Sequence, residues 1–421
     1  MPTVAAVSAA PDERFPVRRN TILLAASLAA LSGMLQLGAA IATLTFVAVT
    51  GIETLLGLAP ALLLATAAVV ALPAGRLMDQ IGRIPVIAGG YVAGLAGTGL
   101  AALGAHADSS VAFVAGLLLI GAANGAVFLT RTAAGDMYPP ERRARGISFV
   151  LFGSVFGAIL GPAVFAPLFA GKEVELDTLA LAWLVGGGFC VVGLVLVLLV
   201  RPDPKRIAER MAPSTTDVAA PPAPLGTICR RHGAVPALLA AVASFAVMVA
   251  VMNLTGYAVV HEHGHSQAAV FPIIGAHVLG MYALVLVVGS LIDRIGRGRS
   301  LGGGLVIMAV SCAGLVWAES VTVTAVLLFG LGLGWNLSFV AATAQLADLT
   351  SPVERGKLLG LSDLLSGLTG AGLAIVGGVA LEGLGVAAMA IGAAAIAAAP
   401  VLWLTRRSGR KEAAVATIGD R

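Results

Sequence analysis

The nine residues GRLMDQIGR, Gly75 to Arg83, stand between two long apolar runs, and their pattern returns as GSLIDRIGR at Gly289 to Arg297. The copies pair Gly75 with Gly289, Leu77 with Leu291, Asp79 with Asp293, Gly82 with Gly296 and Arg83 with Arg297, an offset of 214 (289 − 75). Glycine accepts the positive φ and close backbone approach of a tight turn, and Asp and Arg beside a helix end meet its dipole or each other. The spacing therefore predicts a charged latch joining helix ends, present twice, rather than an ordinary basic turn.

Working outward, the apolar runs on either side are too long and too continuous for a soluble core. Of 421 residues, 58% are hydrophobic, 11% are charged and 53 are glycine, which places the chain in a bilayer. At roughly 20 residues per crossing the length holds about 12 helices. Barrel strands are excluded because the runs do not alternate and exceed the ~10 residues a strand needs. The spacing predicts spans at 21–49, 54–74, 86–104, 111–133, 146–170 and 178–200, then 235–260, 268–290, 301–318, 321–346, 358–381 and 385–405. The chain divides into a tail at 1–20, a six-helix bundle at 21–200, a Pro-containing linker at 201–233, a second bundle at 234–405 and a basic tail at 406–421. The first run is too long for a cleaved signal peptide and is read as an uncleaved span.

Charge tests this topology. Of the 26 Lys and Arg, all but Lys172 and Arg131 fall in the tails, in the loops after spans 2, 4, 6, 8 and 10, or at their helix ends. The opposite loops carry acids: Glu53, Asp108, Glu173, Glu175, Asp177, Glu262, Glu319 and Glu382. Basic loops stay inside, so both termini are expected in the cytoplasm, and the net charge of +4 reflects membrane orientation, not nucleic-acid binding.

The duplication extends past the latch. Gly121 to Arg145 (GAANGAVFLTRTAAGDMYPPERRAR) matches Gly332 to Lys357 (GLGWNLSFVAATAQLADLTSPVERGK) at an offset of 212, pairing Asn124 with Asn336, Asp136 with Asp348, Pro140 with Pro352 and Arg143 with Arg355. Two six-span halves of like orientation, with a solute path between them, suit a rocking alternating-access carrier.

These features resemble the major facilitator superfamily of secondary transporters, whose loop between helices 2 and 3 carries G-x-L-x-D-x-x-G-R and whose loop between helices 8 and 9 often carries a weaker copy. The resemblance implies an all-α integral membrane fold of 12 transmembrane helices in two six-helix bundles, with helices 1, 4, 7 and 10 lining a central path. Polar groups inside spans fall on those helices: Gln36 with Ser32 and Thr43, Asn124 with Arg131, Asn253 with Tyr257, and Trp335 with Asn336. Gln36, Asn253 and Asn336 have helix-to-helix adhesion as the competing role. His277 on span 8 and Asp363 on span 11 complete the set, with Ser366 one turn beyond Asp363.

Arg131 and Asp363 are the only formally charged groups well inside spans. Such groups pair or mark a path, because an isolated charge in hydrocarbon is costly. Arg131 is expected to snorkel or to join the latch through Asp79 or Asp136. Asp363 is expected either to pair with a basic neighbour or to be the proton-coupling group, with His277 next in line. Span 5 carries Gly153, Gly157, Gly161 and Pro162, resembling the antiporter motif G-x-x-x-G-P-x-x-G-G. Phe165 and Ala166 replace its final glycines, and Gln36 replaces the acid common in span 1 of proton-coupled drug exporters, which argues against drug/proton antiport.

His261 to His265 spells H-E-x-x-H, but Gly264 and the short outer turn forbid the helical metalloprotease geometry. A solvated turn, or surface metal capture, is the better reading. Together with HVLGM at His277 to Met281, the turn resembles a poorly characterised bacterial branch of the superfamily. Cys190, Cys229 and Cys312 suggest no disulfide. The expectation is an inner-membrane, monomeric secondary transporter of a small organic solute, coupled to protons, with efflux slightly favoured over uptake, and with no cofactor, resident metal or nucleic-acid partner. The competing class is a non-transporting sensor on the same scaffold, which would want a large extra domain.

Overall fold

The computed structural model describes residues 16–51, 58–169, 175–211, 222–259 and 269–419, and among them no strand occurs. The first half comprises α1 (Val17–Thr50), α2 (Leu58–Ile81), α3 (Arg83–His106), α4 (Ser110–Val127), α5 (Thr130–Asp136), α6 (Arg143–Phe169) and α7 (Leu176–Leu198). Two short helices, α8 (Pro204–Met211) and α9 (Leu225–Cys229), lie in the stretch read as a linker. The second half comprises α10 (Ala234–Tyr257), α11 (Val270–Tyr282), α12 (Val285–Ile295), α13 (Arg297–Gly314), α14 (Val321–Asp348) and α15 (Arg355–Gly419). Eleven helices are long and apolar enough to cross a membrane, or up to twelve when the bent pair α11 and α12 is one span. The tail to residue 15, residues 52–57, 170–174 and 212–221, and the His261 to His265 turn lie outside the described residues.

The matched glycines act where the pattern placed them. Gly82 joins α2 to α3 at φ 105° and Gly296 joins α12 to α13 at φ 92°, values a Cβ-bearing residue takes only with strain. Ser109 and Ser320 cap α4 and α14, accepting from the Ala112 and Val323 amides at 3.4 and 3.2 Å. Gly385, at φ 78°, divides α15 into an arm through Leu381 and a second arm from Gly383.

The expected elements carry local departures. The fourth span crosses as expected, over Ser110–Asp136, with a turn at residues 128–129 between α4 and α5. There the Thr130 hydroxyl takes the Val127 carbonyl and the Arg131 guanidinium donates to the Phe128 carbonyl at 2.9 Å, so side chains replace ladder amides. The eighth span bends by 41° between α11 and α12. The Asn336 carboxamide donates to the Met281 carbonyl at 2.7 Å, claiming the acceptor that the Val285 amide would use in a straight helix. Finally, the region read as a basic tail from 406 stays helical to Gly419.

Small residues set the packing. A methyl group on Gly153 would lie 2.0 Å from the Ala25 carbonyl oxygen, one on Gly157 2.3 Å from that of Ala29, and one on Gly161 2.8 Å from Gln36 Cβ. The glycine run on α6 therefore seats α1 backbone to backbone, the close approach that membrane helices use in place of a hydrophobic drive. The same device joins the halves. A methyl on Gly75 would lie 2.0 Å from the Gly356 oxygen, and one on Gly360 2.4 Å from the Ala71 oxygen, along the α2–α15 seam. On the α6–α12 seam a methyl on Gly289 would lie 2.5 Å from Ser148 Oγ.

Candidate functional site

The latch residues form a clasp in which each half caps a helix of the other. Asp79, at the end of α2, accepts from the backbone amides of Gly356 and Lys357 at 2.7 and 2.8 Å, the first turn of α15. Asp293, at the end of α12, accepts from the amides of Ala144 and Arg145 at 3.3 and 3.0 Å, the first turn of α6. A carboxylate on a helix N-terminus satisfies amides that have no partner inside the helix and meets the positive end of its dipole. Here the helix belongs to the opposite half, so each contact is a tie between halves.

Arginines complete both ties with the same geometry. Arg83 donates to Asp79 at 2.7 Å, to Asp136 at 2.6 Å and to the Pro352 carbonyl at 2.6 Å. Arg297 donates to Asp293 at 2.5 Å, to Asp348 at 3.2 Å and to the Pro140 carbonyl. Arg355 then pairs with Asp136, and Arg143 with Asp348. Four acids and four arginines thus form a neutral network related by the internal repeat. The first copy is the tighter. Arg83 is fully buried, whereas the Arg297 side chain is 16% exposed, and the Asp79 contacts to backbone are the shorter. Buried pairs of this kind return little net stability, because desolvation cancels much of the attraction, but breaking one partner is costly. They are suited to defining a state.

The segment between the halves is docked on this clasp. Asp203 accepts from the Ile84 amide at 2.9 Å, and Lys205 donates to the Asp79 carbonyl at 2.6 Å. On the other half, Arg231 forks onto Glu354 at 2.7 and 3.0 Å, the Ala223 amide donates to Glu354 at 2.9 Å, and Lys357 donates to the Ala223 carbonyl at 2.6 Å. Burial alone would push the Glu354 carboxyl up, but Arg231 and the Ala223 and Ser351 amides outweigh it and hold it down at about 2.

Deeper in the spans, Arg131 of α5 pairs with Asp363 of α15 across the seam. The Arg131 guanidinium lies 4.5 Å from the Phe128 ring centre and 5.2 Å from that of Phe339, within cation–π range of both. Phe128 stacks on Phe339 at 6.2 Å and 25°, and Phe339 on Trp335 at 5.1 Å and 14°, while Phe245 abuts Phe339 at 5.9 Å. Beside them lies a cavity of about 50 Å³ whose walls include Asn124, Phe128, Phe245, Asp363, Ser366 and Gly367.

Of the polar residues expected on the path, Asn124 lines this cavity and Gln36 is exposed, whereas Trp335 is buried in the aromatic stack. Asn336 and His277 tie α14 to α11 inside one half, His277 through a 2.9 Å contact of Nδ1 with the Leu328 carbonyl. Arg131 joins Asp363 and makes no contact with Asp79 or Asp136 in the clasp. The side chains of Asn253, Tyr257 and Pro162 lie outside the described residues. Among the described residues no group of three His, Cys, Asp or Glu could hold a metal. The pairing of Arg143 with Asp348 and of Arg355 with Asp136, and the ring stack, were missed as site features. The 212-residue offset marked the first set, but no spacing marked Phe128, Phe245 and Phe339 among so many apolar neighbours.

Comparison with known proteins places this geometry. The family model described as Major Facilitator Superfamily matches residues 22–276 and 237–419. The chain is 28% identical over 389 residues to the uncharacterised MFS-type transporter YdeG of Bacillus subtilis (strain 168), covering 89% of this chain and 88% of that protein. It is 33% identical over 302 residues to the riboflavin transporter RfnT of Brucella anthropi, covering 70% of this chain and 72% of that one. Among solved structures it resembles the human organic anion transporter MFSD10 (TETRAN), with a TM-score of 0.74 at 16% identity over 92% of this chain and 99% of that one. The transporter FucP gives 0.73 at 14% identity, over 92% and 97%.

Proposed function

The chain belongs to the major facilitator superfamily, and on that premise we propose that it is a secondary active transporter that moves a small organic solute by rocking its halves, 21–200 and 234–405, about the central seam. The carrying observation is the reciprocal clasp: Asp79 caps the first turn of α15 and Asp293 that of α6. Ties that join two halves at the end where the described residues place them, through groups that water can replace, are what an alternating gate needs. On this reading the basic loops put the clasped end at the cytoplasmic face of an inner membrane, and the clasp closes the path towards the cytoplasm. Relatives and structural neighbours are transporters, in keeping with a chain that carries no enzymatic function.

The Arg131–Asp363 pair is the coupling element of this reading. A proton taken by Asp363 removes the charge that holds Arg131 and loosens the seam above the clasp, linking protonation to the change of state. The test is flux into proteoliposomes with and without a pH gradient. Asp363→Asn, whose amide imitates the protonated acid, is expected to abolish accumulation against a gradient while leaving downhill flux at saturating solute in place. Accumulation that still follows the pH gradient in the variant would remove Asp363 from the coupling role.

A further inference from the structure

The internal repeat separates what this scaffold uses for closing from what it uses for recognition. At an offset of 212 the clasp residues meet their own kind: Asp136 with Asp348, Arg143 with Arg355, Pro140 with Pro352. The central residues do so only in part: Asn124 meets Asn336 and Ser366 meets Ser154, but Arg131 corresponds to Thr343, Asp363 to Leu151, Phe128 to Val340, Phe339 to Val127 and Trp335 to Ala123. A frame for rocking needs the symmetric set twice. The charged pair and the rings, which have no counterpart, gather at one place, the cavity beside the Phe128–Phe339 stack.

That cavity offers two kinds of surface. Its walls include Phe128 and Phe245, and its polar edge consists of Asn124 from the first half with Asp363 and Ser366 from the second. Asp363 spends Oδ1 on Arg131, while Oδ2 is buried without a partner, as is the Ser366 hydroxyl on a residue only 1% exposed. The half-buried Asn124 carboxamide lines the same cavity. A buried acceptor and a buried hydroxyl left open together cost free energy unless something fills them.

Resting on the transporter reading above, we propose that the solute is a planar nitrogen heterocycle with a lactam or imide edge, an N–H beside a ring carbonyl. Its ring face stacks on the Phe128–Phe339–Trp335 ladder. Its N–H donates to Asp363 Oδ2, and its carbonyl accepts from the Asn124 amide or the Ser366 hydroxyl. At about 50 Å³ the cavity is far below the several hundred Å³ of a typical ligand site. Its walls come from both halves, with a methyl on Gly367 only 2.6 Å from Ala68 Cβ, so the solute enters as the halves part and the ring displaces Phe128 from Phe339. Sugars lack the flat face, and aromatic acids lack the donor–acceptor edge.

The test is equilibrium binding to the purified full chain in lipid nanodiscs with four probes: alloxazine, 1,3-dimethylalloxazine, anthracene-2-carboxylate and xylose. Alloxazine is expected to bind, and its dimethyl derivative, which has no ring N–H, at least tenfold more weakly, because the lost N–H leaves Asp363 Oδ2 unfilled. Asn124→Ala and Ser366→Ala are each expected to weaken alloxazine about tenfold and the methylated probe, which keeps the ring carbonyl, by a like factor, with thermal unfolding of the unliganded variants verifying that they fold. Equal binding of the two alloxazines, or binding of xylose or anthracene-2-carboxylate with none of alloxazine, overturns the assignment. Neither result touches the transporter reading, which fails separately if proteoliposomes holding the protein show no solute flux above protein-free ones.

Discussion

Replacing Asp79 by Asn changes one atom and tests the clasp directly. The carboxylate accepts from Arg83 and from the Gly356 amide through Oδ1, and from the Lys357 amide through Oδ2. The carboxamide keeps one acceptor and turns a second N–H toward the α15 amides. One charge-assisted hydrogen bond is worth about 1.5–3 kcal/mol, and the charge on the helix end about 0.3–1 kcal/mol more. Arg83 keeps Asp136, so its own charge stays paired. The clasped state therefore loses about 2–4 kcal/mol against the open one, a shift of ~30- to 900-fold in their ratio. The reporter is Ser148→Cys, a near-isosteric change at a fully buried position on the α6–α12 seam, in a background lacking Cys229. Its alkylation by a membrane-impermeant maleimide in inside-out membrane vesicles, slow in the parent, is expected to rise by that factor with Asp79→Asn. Asp293→Asn is expected to give a smaller rise, because its amide contacts are longer and Arg297 is partly solvated. An unchanged rate with Asp79→Asn refutes the clasp as a gate.

Two further outcomes follow from the packing and the docked linker. Gly157→Ala puts a methyl 2.3 Å from the Ala29 oxygen and is expected to destabilise the α1–α6 pair by about 1–3 kcal/mol, read as a lower thermal midpoint, whereas Gly99→Ala, with nothing within 4 Å, is expected to leave it unchanged or raise it. The depressed Glu354 carboxyl contributes stability that is fully present above its ordinary value of 4.5 and is lost as pH falls towards about 2. The thermal midpoint of the parent relative to Glu354→Gln is thus expected to be flat from pH 8 to 5 and to converge below 4.5; a difference that already closes between pH 7 and 5 counts against the Arg231 clasp.

The span pattern and the latch were legible because both are local: apolar length counts residues, and Gly82 and Gly296 take the positive φ their spacing implied. The partners of Asp79 were not legible, since the Gly356 and Lys357 amides lie 277 and 278 residues away and an amide has no side chain to mark it. Nor was the turn after Val127, which depends on which carbonyl Arg131 reaches, or the bend of α11–α12, which depends on an asparagine from α14. Arg131 and Asp363 stood out as charges in apolar runs, but only folding could decide between Asp363 and Asp79 or Asp136 as the partner.

The α2–α15 seam is made of backbone against backbone, with Gly75, Gly356, Gly360 and Gly367 meeting Ala68 and Ala71. Such a joint has nothing interlocked. Where knobs sit in holes, parting two helices demands that many side chains change rotamer together, and that collective step sets a kinetic barrier. Here two smooth faces lift apart with no torsion to rearrange, and the dispersion lost per ångström is spread over small atoms. The rate of opening is accordingly governed by a few polar ties that water can exchange one at a time. A hinge of this build cycles fast when the ties are loose and waits when they are made, which places control of turnover in the clasp rather than in the bulk of the fold.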